Sequence, residues 1–208
     1  DGAEKTKAAL RKTLAYFDCE GVGLEVSLQS ELVPQKGMAS STADITAAVV
    51  ATTLALGERV SDNLIKEIAL AVEPTDGSFI KGIVAFDHLK GAKLTRLGEI
   101  DSIPLLIFDT GGAVDTLEFN SRENLLALKE AKEEQVTKAY DLIEQGVREK
   151  NSALIGQGAT LSSLANQLIL KKPNLNEVIK LVTNREDVLG VNIAHSGTLL
   201  GILLKESA

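Results

Sequence analysis

The 208-residue chain has no tryptophan, two tyrosines and five phenylalanines, so aromatics make up only 3% of it. That scarcity disfavours stacking platforms for bases or sugars. The single cysteine, Cys19, has no partner for an internal disulfide, and nothing suggests secretion. It reads as a small residue at a helix end. Two histidines, His88 and His195, with one cysteine make no zinc set. No Gly-x-Ser-x-Gly elbow is present, which disfavours a serine hydrolase. No apolar run reaches the roughly eighteen residues of a membrane span, so no membrane partner is expected. The opening "DGAEKTKAALRK" lacks the plan of a signal peptide. A cytoplasmic location is therefore the default expectation. An excess of basic charge is also missing: the formal net charge is −7. That argues against nucleic acid or an anionic membrane as the main partner.

What is present is an ordinary globular composition, 44% hydrophobic and 25% charged. The length suits one large domain or two small ones. Leu10, Leu14 and Phe17 fall on one stripe of a helix over residues 3–17. "VGLEVSLQSEL" alternates, with Val22, Leu24, Val26 and Leu28 on one side, and predicts a half-buried strand. A helix is predicted from Ser40 or Ser41 to Gly57, whose glycine suits a helix end. Ser61 or Asp62 caps the next helix, which Pro74 stops at Glu73. Two strands around a turn at His88 to Gly91 follow, then a short buried strand in "SIPLLIFDTGG". Beyond that the chain turns helical. One long charged helix is expected over 122–150, a second over 151–170 ended by Pro173, and a third in "LNEVIKLVTN". Two apolar runs around a polar turn close the chain. The order predicts two α+β halves.

The densest chemistry lies in "PQKGMASSTAD", a glycine-containing loop running into a helix start. A helix N-terminus offers unpaired N–H groups and the positive end of the macrodipole. The small residues Gly37, Ala39 and Ser40 let an anion approach that backbone, as in a phosphate cradle. Ser40, Ser41 and Thr42 add hydroxyls, one of which suits a phosphate-bound Mg²⁺. The loop is neither a Walker A motif nor a dinucleotide fingerprint. The competing reading makes Ser40 a plain N-cap and the rest small-residue packing.

"PQKGMASSTAD" resembles the phosphate-binding motif of the GHMP kinases, the superfamily of galactokinase, homoserine kinase, mevalonate kinase and phosphomevalonate kinase. Gly37, Met38, Ala39, Ser40, Ser41 and Thr42 stand in the motif's order. Pro34 sits one residue too close to Gly37, and Ala39 replaces the second glycine. The variant "KGMASSTADI", with "VEPTDGS", "FDTGGAVDT", "ATLSSLANQ" and "NIAHSGTLLG" in the same order, resembles the L-threonine kinases associated with cobalamin synthesis and propanediol utilisation.

The resemblance implies a two-domain α+β GHMP kinase-like fold. Its N-terminal half contains a βαβ unit with a left-handed crossover, against the general rule. Its C-terminal half is ferredoxin-like, and the site lies in the cleft between the halves. The expected domains are residues 1–115, ATP-binding and lacking the family's first strands, and 116–208, stopping before the family's last elements. ATP and Mg²⁺ are the implied cofactors. Gly37 to Thr42 and the closing motif Ser196, Gly197 and Thr198 are the implied nucleotide-binding residues. Ser41 and Glu73 are the implied metal ligands.

Asp76 is the candidate base for the acceptor hydroxyl; a substrate-amine contact and an Asx turn are its other readings. Asp109, Thr110 and Asp115 stand for a substrate contact or a tight turn alike. His195 reads as structural and His88 as a solvated turn residue. The implied reaction converts L-threonine to O-phospho-L-threonine. Phosphorylation of another small hydroxy acceptor such as homoserine, and a non-catalytic nucleotide-binding protein, stay as alternatives. The expected partner is a small molecule; a homodimer is left open.

Overall fold

The structure is a computed structural model that describes residues 2–111, 125–195 and 197–206. It divides into two compact units, residues 1–34 with 39–96, and residues 35–38 with 97–208.

The first unit is built on three helices: α1 (Gly2–Tyr16), α2 (Ser40–Ala55) and α3 (Asp62–Val72). Their apolar faces meet in a core of Ala9, Ile45, Val49, Leu64, Ile65 and Ile68, with Leu10 and Phe17 packed against it. Each fully buried aliphatic side chain there contributes about 1.5–3 kcal/mol. Gly57 follows α2 at φ +77, and its N–H bonds to the carbonyl of Leu54, so the helix stops where a left-handed residue is tolerated. Ser61 caps α3 by accepting from the N–H of Leu64 at 3.2 Å. Glu73 leaves the helix at φ −162 and ψ 165, the extended geometry that Pro74 imposes on the residue before it. Strands β1 (Ile83–Phe86) and β2 (Leu94–Gly98) pair in a two-stranded sheet. Asp87 Oδ1 accepts from the N–H groups of Leu89 and Lys90 and shapes the turn between them. His88 is half-buried in that turn rather than solvated, and its carbonyl accepts from Thr75 N–H at 3.0 Å. The thiol of Cys19 lies just past α1 and donates to the carbonyl of Phe17.

The strand expected over 22–32 does not form. The segment belongs to no sheet, and Val22, Leu24, Val26 and Leu28 are all exposed. Alternation makes a strand only when a neighbour completes the ladder, and among the described residues none pairs with it. For the same reason no βαβ unit of parallel strands occurs among the described residues.

The second unit is α+β. Its sheet has the order β3 (Leu105–Asp109), β5 (Leu199–Leu204), β4 (Val188–Ile193), antiparallel throughout. Leu105 faces Leu203 and Asp109 faces Leu199 across one ladder; Val191 faces Ile202 across the other. Helices α4 (Leu125–Ala131), α5 (Glu133–Arg148), α6 (Ser152–Asn166) and α7 (Leu175–Val182) complete it. Here α6 packs on both α5 and β4. Leu175, Val191, Leu200 and Ile202 form the core.

Two further expectations need correction. The strand at 105–109 forms but is not buried: it is the sheet edge, and Phe108 is 45% exposed. The single helix expected over 122–150 is two, because Lys132 (φ −107, ψ 0) leaves the helical region between α4 and α5. Residues 122–124 of that expectation lie outside the described residues. Among the described residues, no helix is long and apolar enough to cross a membrane.

Candidate functional site

In the first unit, the N-terminus of α2 carries no side-chain cap. Its cap residue is Ala39, in the left-handed region at φ 56, ψ 27, and no side chain bonds back to it. Ser40 is the first helical residue rather than the cap, so the N-cap reading of Ser40 fails. The motif's usual glycine at this position is thereby explained, because a Cβ at positive φ costs about 1–2 kcal/mol. The first protein acceptor satisfied inside the helix is the carbonyl of Ala39, bonded by Ala43 N–H at 2.9 Å. Among the described residues, none accepts from the N–H groups of Ser40, Ser41 or Thr42. They are the orphan donors of a helix start, with the positive macrodipole end behind them.

Two of the predicted residues meet beside those amides. Ser41 Oγ donates to Glu73 Oε1. The extended backbone at Glu73, forced by Pro74, takes its side chain off the end of α3. A third group, absent from the sequence reading, joins them. Lys5 Nζ, on the first turn of α1, lies 2.7 Å from Glu73 Oε2 and donates to Ser41 Oγ at 3.2 Å. A hydroxyl and a carboxylate are hard oxygen donors, and an ammonium already rests against both, so the spot favours a cation. Among the described residues no cluster of three or more acidic, histidine or cysteine side chains could hold a metal. The hydroxyl and carboxylate of Ser41 and Glu73 fit, by their hard-oxygen chemistry, an ion such as Mg²⁺, which takes one or two protein oxygens and completes its shell with phosphates and water.

Next to them, Thr42 Oγ1 shares a hydrogen bond with Thr75 Oγ1 at 2.9 Å and donates to Asp76 Oδ2 at 3.2 Å. Asp76 Oδ1 accepts from Ser78 N–H at 2.9 Å, so one oxygen closes an Asx turn while the other faces Thr42. Thr42 and Thr75 are buried, whereas Asp76 is exposed.

In the second unit, residues 35–38 are held by the turn before β5. The N–H groups of Thr198 and Leu199 both donate to the carbonyl of Lys36, at 3.0 and 3.3 Å. Gly197 is required there, since a Cβ on it would lie 2.0 Å from the Lys36 carbonyl oxygen. Gly37, at φ +90, would bring a Cβ within 2.3 Å of Ala194 Cβ. Asp109 Oδ2 pairs with Lys36 Nζ at 2.7 Å, and Oδ1 accepts from Thr198 Oγ1 at 2.6 Å and Gly111 N–H at 2.9 Å. Lys36, Thr198 and the Gly111 amide, in that order, hold its carboxyl down at about 2. Thr110 Oγ1 donates to the carbonyl of Thr198 at 2.7 Å. Lys172, only 4% exposed, donates its ammonium to the carbonyl of Gly197, and burial pushes its pKa down.

Of the predicted residues, the structure thus groups Ser41, Glu73, Thr42 and Asp76 in the first unit. It groups Gly37, Gly197, Thr198, Asp109 and Thr110 in the second. Met38 is exposed in its loop and His195 in its turn. Ser196 and Asp115 lie outside the described residues. Lys5, Thr75, Lys36 and Lys172 had no signal in the sequence, because each acts on a partner far away in the chain.

Residues 4–86 match the family described as GHMP kinases N terminal domain. L-threonine kinase of Salmonella typhimurium is 32% identical over 183 residues, 87% of this chain and 60% of that protein. L-threonine kinase of Citrobacter freundii is 29% identical over 181 residues, 87% of this chain and 62% of that protein. The chain therefore spans about 60% of the length of the curated relatives it matches. Among solved structures, mevalonate kinase of Methanococcus jannaschii superposes with a TM-score of 0.71 at 18% identity, over 97% of this chain and 67% of that one. Homoserine kinase of Cytophaga hutchinsonii gives 0.70 at 17% identity, over 96% and 65%. These two likenesses bear on the fold alone.

Proposed function

We propose that the chain, whose residues 4–86 match the GHMP kinases N terminal domain, works as a GHMP kinase and transfers the γ-phosphoryl group of ATP to the hydroxyl of L-threonine, giving O-phospho-L-threonine and ADP. The observation that carries this reading is the uncapped start of α2, whose three unclaimed amides stand beside a bonded Ser41–Glu73 pair. The amides of Ser40, Ser41 and Thr42 receive phosphate oxygens. Ala39, small and left-handed at the helix start, lets the phosphates come close to that backbone. Ser41 and Glu73 hold Mg²⁺, which when bound neutralises charge on the triphosphate.

Phosphoryl transfer asks the protein chiefly for positioning and charge stabilisation. The acceptor oxygen forms the new bond to the γ-phosphorus as the bond to the ADP oxygen breaks, and the hydroxyl proton passes to Asp76 Oδ2. Thr42, held by Thr75, orients that oxygen. The L-threonine kinase relatives favour L-threonine as acceptor, and the motif resemblance carries with it a role in cobalamin synthesis. A cytoplasmic location goes with that reading.

The test is ADP release with L-threonine, L-serine and homoserine as acceptors, in the parent chain and in Ser41→Ala. L-threonine is expected to be the best acceptor, and Ser41→Ala to lower kcat/KM for Mg·ATP by about 100-fold with little change in Tm. Binding of Mg·ATP without phosphoryl transfer to any of the three would overturn the reading. Faster transfer to homoserine would overturn the acceptor.

A further inference from the structure

Lys5 has no reason to sit where it does from its own helix. It lies in the first turn of α1, where the macrodipole disfavours a cation. Its ammonium nevertheless reaches across to α2 and α3, 3.2 Å from Ser41 Oγ and 2.7 Å from Glu73 Oε2. It thus touches both residues of the cation-favouring pair, through the oxygens a divalent ion would use. The side chains of Lys5 and Glu73 are 41% and 22% exposed, so the contact is open enough to be exchanged.

Resting on the metal assignment above, we propose that Lys5 is a built-in competitor for the divalent-cation position of Ser41 and Glu73. Its ammonium keeps the Glu73 carboxylate oriented towards Ser41 and gives up both oxygens when the ion is bound. One positive charge then replaces another, so Glu73 is never left facing the positive end of α2 with its own geometry unset. The displaced ammonium stays on a flexible four-carbon stem, beside the amides of Ser40 and Ser41, and is placed to meet an anionic oxygen carried by the ion. Lys5 acts on metal affinity through Glu73, as a positioning residue.

The experiment is a titration of the chain with Mn²⁺ alone, followed by electron paramagnetic resonance, in the parent, Lys5→Met, Lys5→Arg and Glu73→Gln. An exchanged ion pair of this exposure is worth a few-fold in affinity, about three- to fivefold. Lys5→Met is therefore expected to tighten Mn²⁺ by that factor, Lys5→Arg to stay near the parent, and Glu73→Gln to lose the site. If Glu73-dependent Mn²⁺ binding is present but Lys5→Met leaves it unchanged or weaker, the competitor role is overturned and the kinase reading stands. If neither the parent nor Lys5→Met binds Mn²⁺ through Glu73, the metal assignment falls, and this inference with it.

Discussion

Thr198 donates its hydroxyl to Asp109 Oδ1 at 2.6 Å while Lys36 meets the other oxygen of the same carboxylate at 2.7 Å. The two partners are 162 residues apart in sequence, and Asp109 ties them into one network. With its carboxyl held at about 2, Asp109 contributes stability that is present above the unfolded carboxylate value of about 3.9. That contribution is lost as pH falls through about 2. Asp109→Asn should therefore show a lower Tm than the parent from pH 7 down to about 4. The gap should narrow below that and close near pH 2. A gap that stays constant across this range would rule out the ionised carboxylate as its source.

Gly197 admits no side chain against the Lys36 carbonyl. Gly197→Ala should cost about 1–3 kcal/mol in denaturant unfolding, since backbone rather than a flexible side chain is in the way. Phosphate-loop function should fall with it: a KM for ATP raised at least as much as kcat is lowered. Full stability in this variant would mean that the turn does not grip residues 35–38 as described.

Ala39 occupies a left-handed position that glycine adopts freely and alanine only with strain. Ala39→Gly should leave the fold intact and relieve about 1 kcal/mol of strain, partly offset by the greater freedom of the unfolded chain. Differential scanning calorimetry should give a Tm equal to or above the parent's. A marked drop would show that Ala39 makes packing contacts outweighing its backbone strain.

Thr52 is 2% exposed in the first unit's core, and its hydroxyl finds no partner among the described residues. Thr52→Val keeps the β-branched shape and removes an unsatisfied polar group, so a gain of about 1 kcal/mol is expected. Urea unfolding measures it directly. The neighbouring Thr53 bonds the Val49 carbonyl at 2.7 Å and is the control: Thr53→Val should gain nothing.

Asp76→Asn keeps an oxygen for the Ser78 amide and the turn, but gives up the proton acceptor. In the proposed reaction kcat should fall by about 100- to 1000-fold, with KM for ATP little altered. An unchanged kcat would remove Asp76 from proton transfer and leave it as the turn residue it also is.

Local chemistry made much of this fold readable. The apolar stripe of α1, the glycine after α2, the Ser61 cap and the Asp87 turn are each set by residues within a few positions of one another. The failures were of another kind. The alternation of Val22 to Leu28 states which sides a strand would have, but a ladder needs a second strand, and alternation says nothing about one. The break at Lys132 has neither glycine nor proline to announce it. The meeting of Ser41 with Glu73 was expected only from resemblance, since 32 positions separate them. Lys5 looked like any other lysine on a charged helix and Lys172 like any other lysine before a proline, because only the tertiary neighbours give each ammonium its partners.

The carbonyl of Lys36 takes two hydrogen bonds, from Thr198 and Leu199. Nothing nearer in sequence supplies them. During synthesis, this loop must wait for its partners until β5, about 160 residues further along the chain, has emerged and paired. Protease sensitivity around residues 35–38 should persist until that pairing is made, however quickly the helices on either side of the loop form.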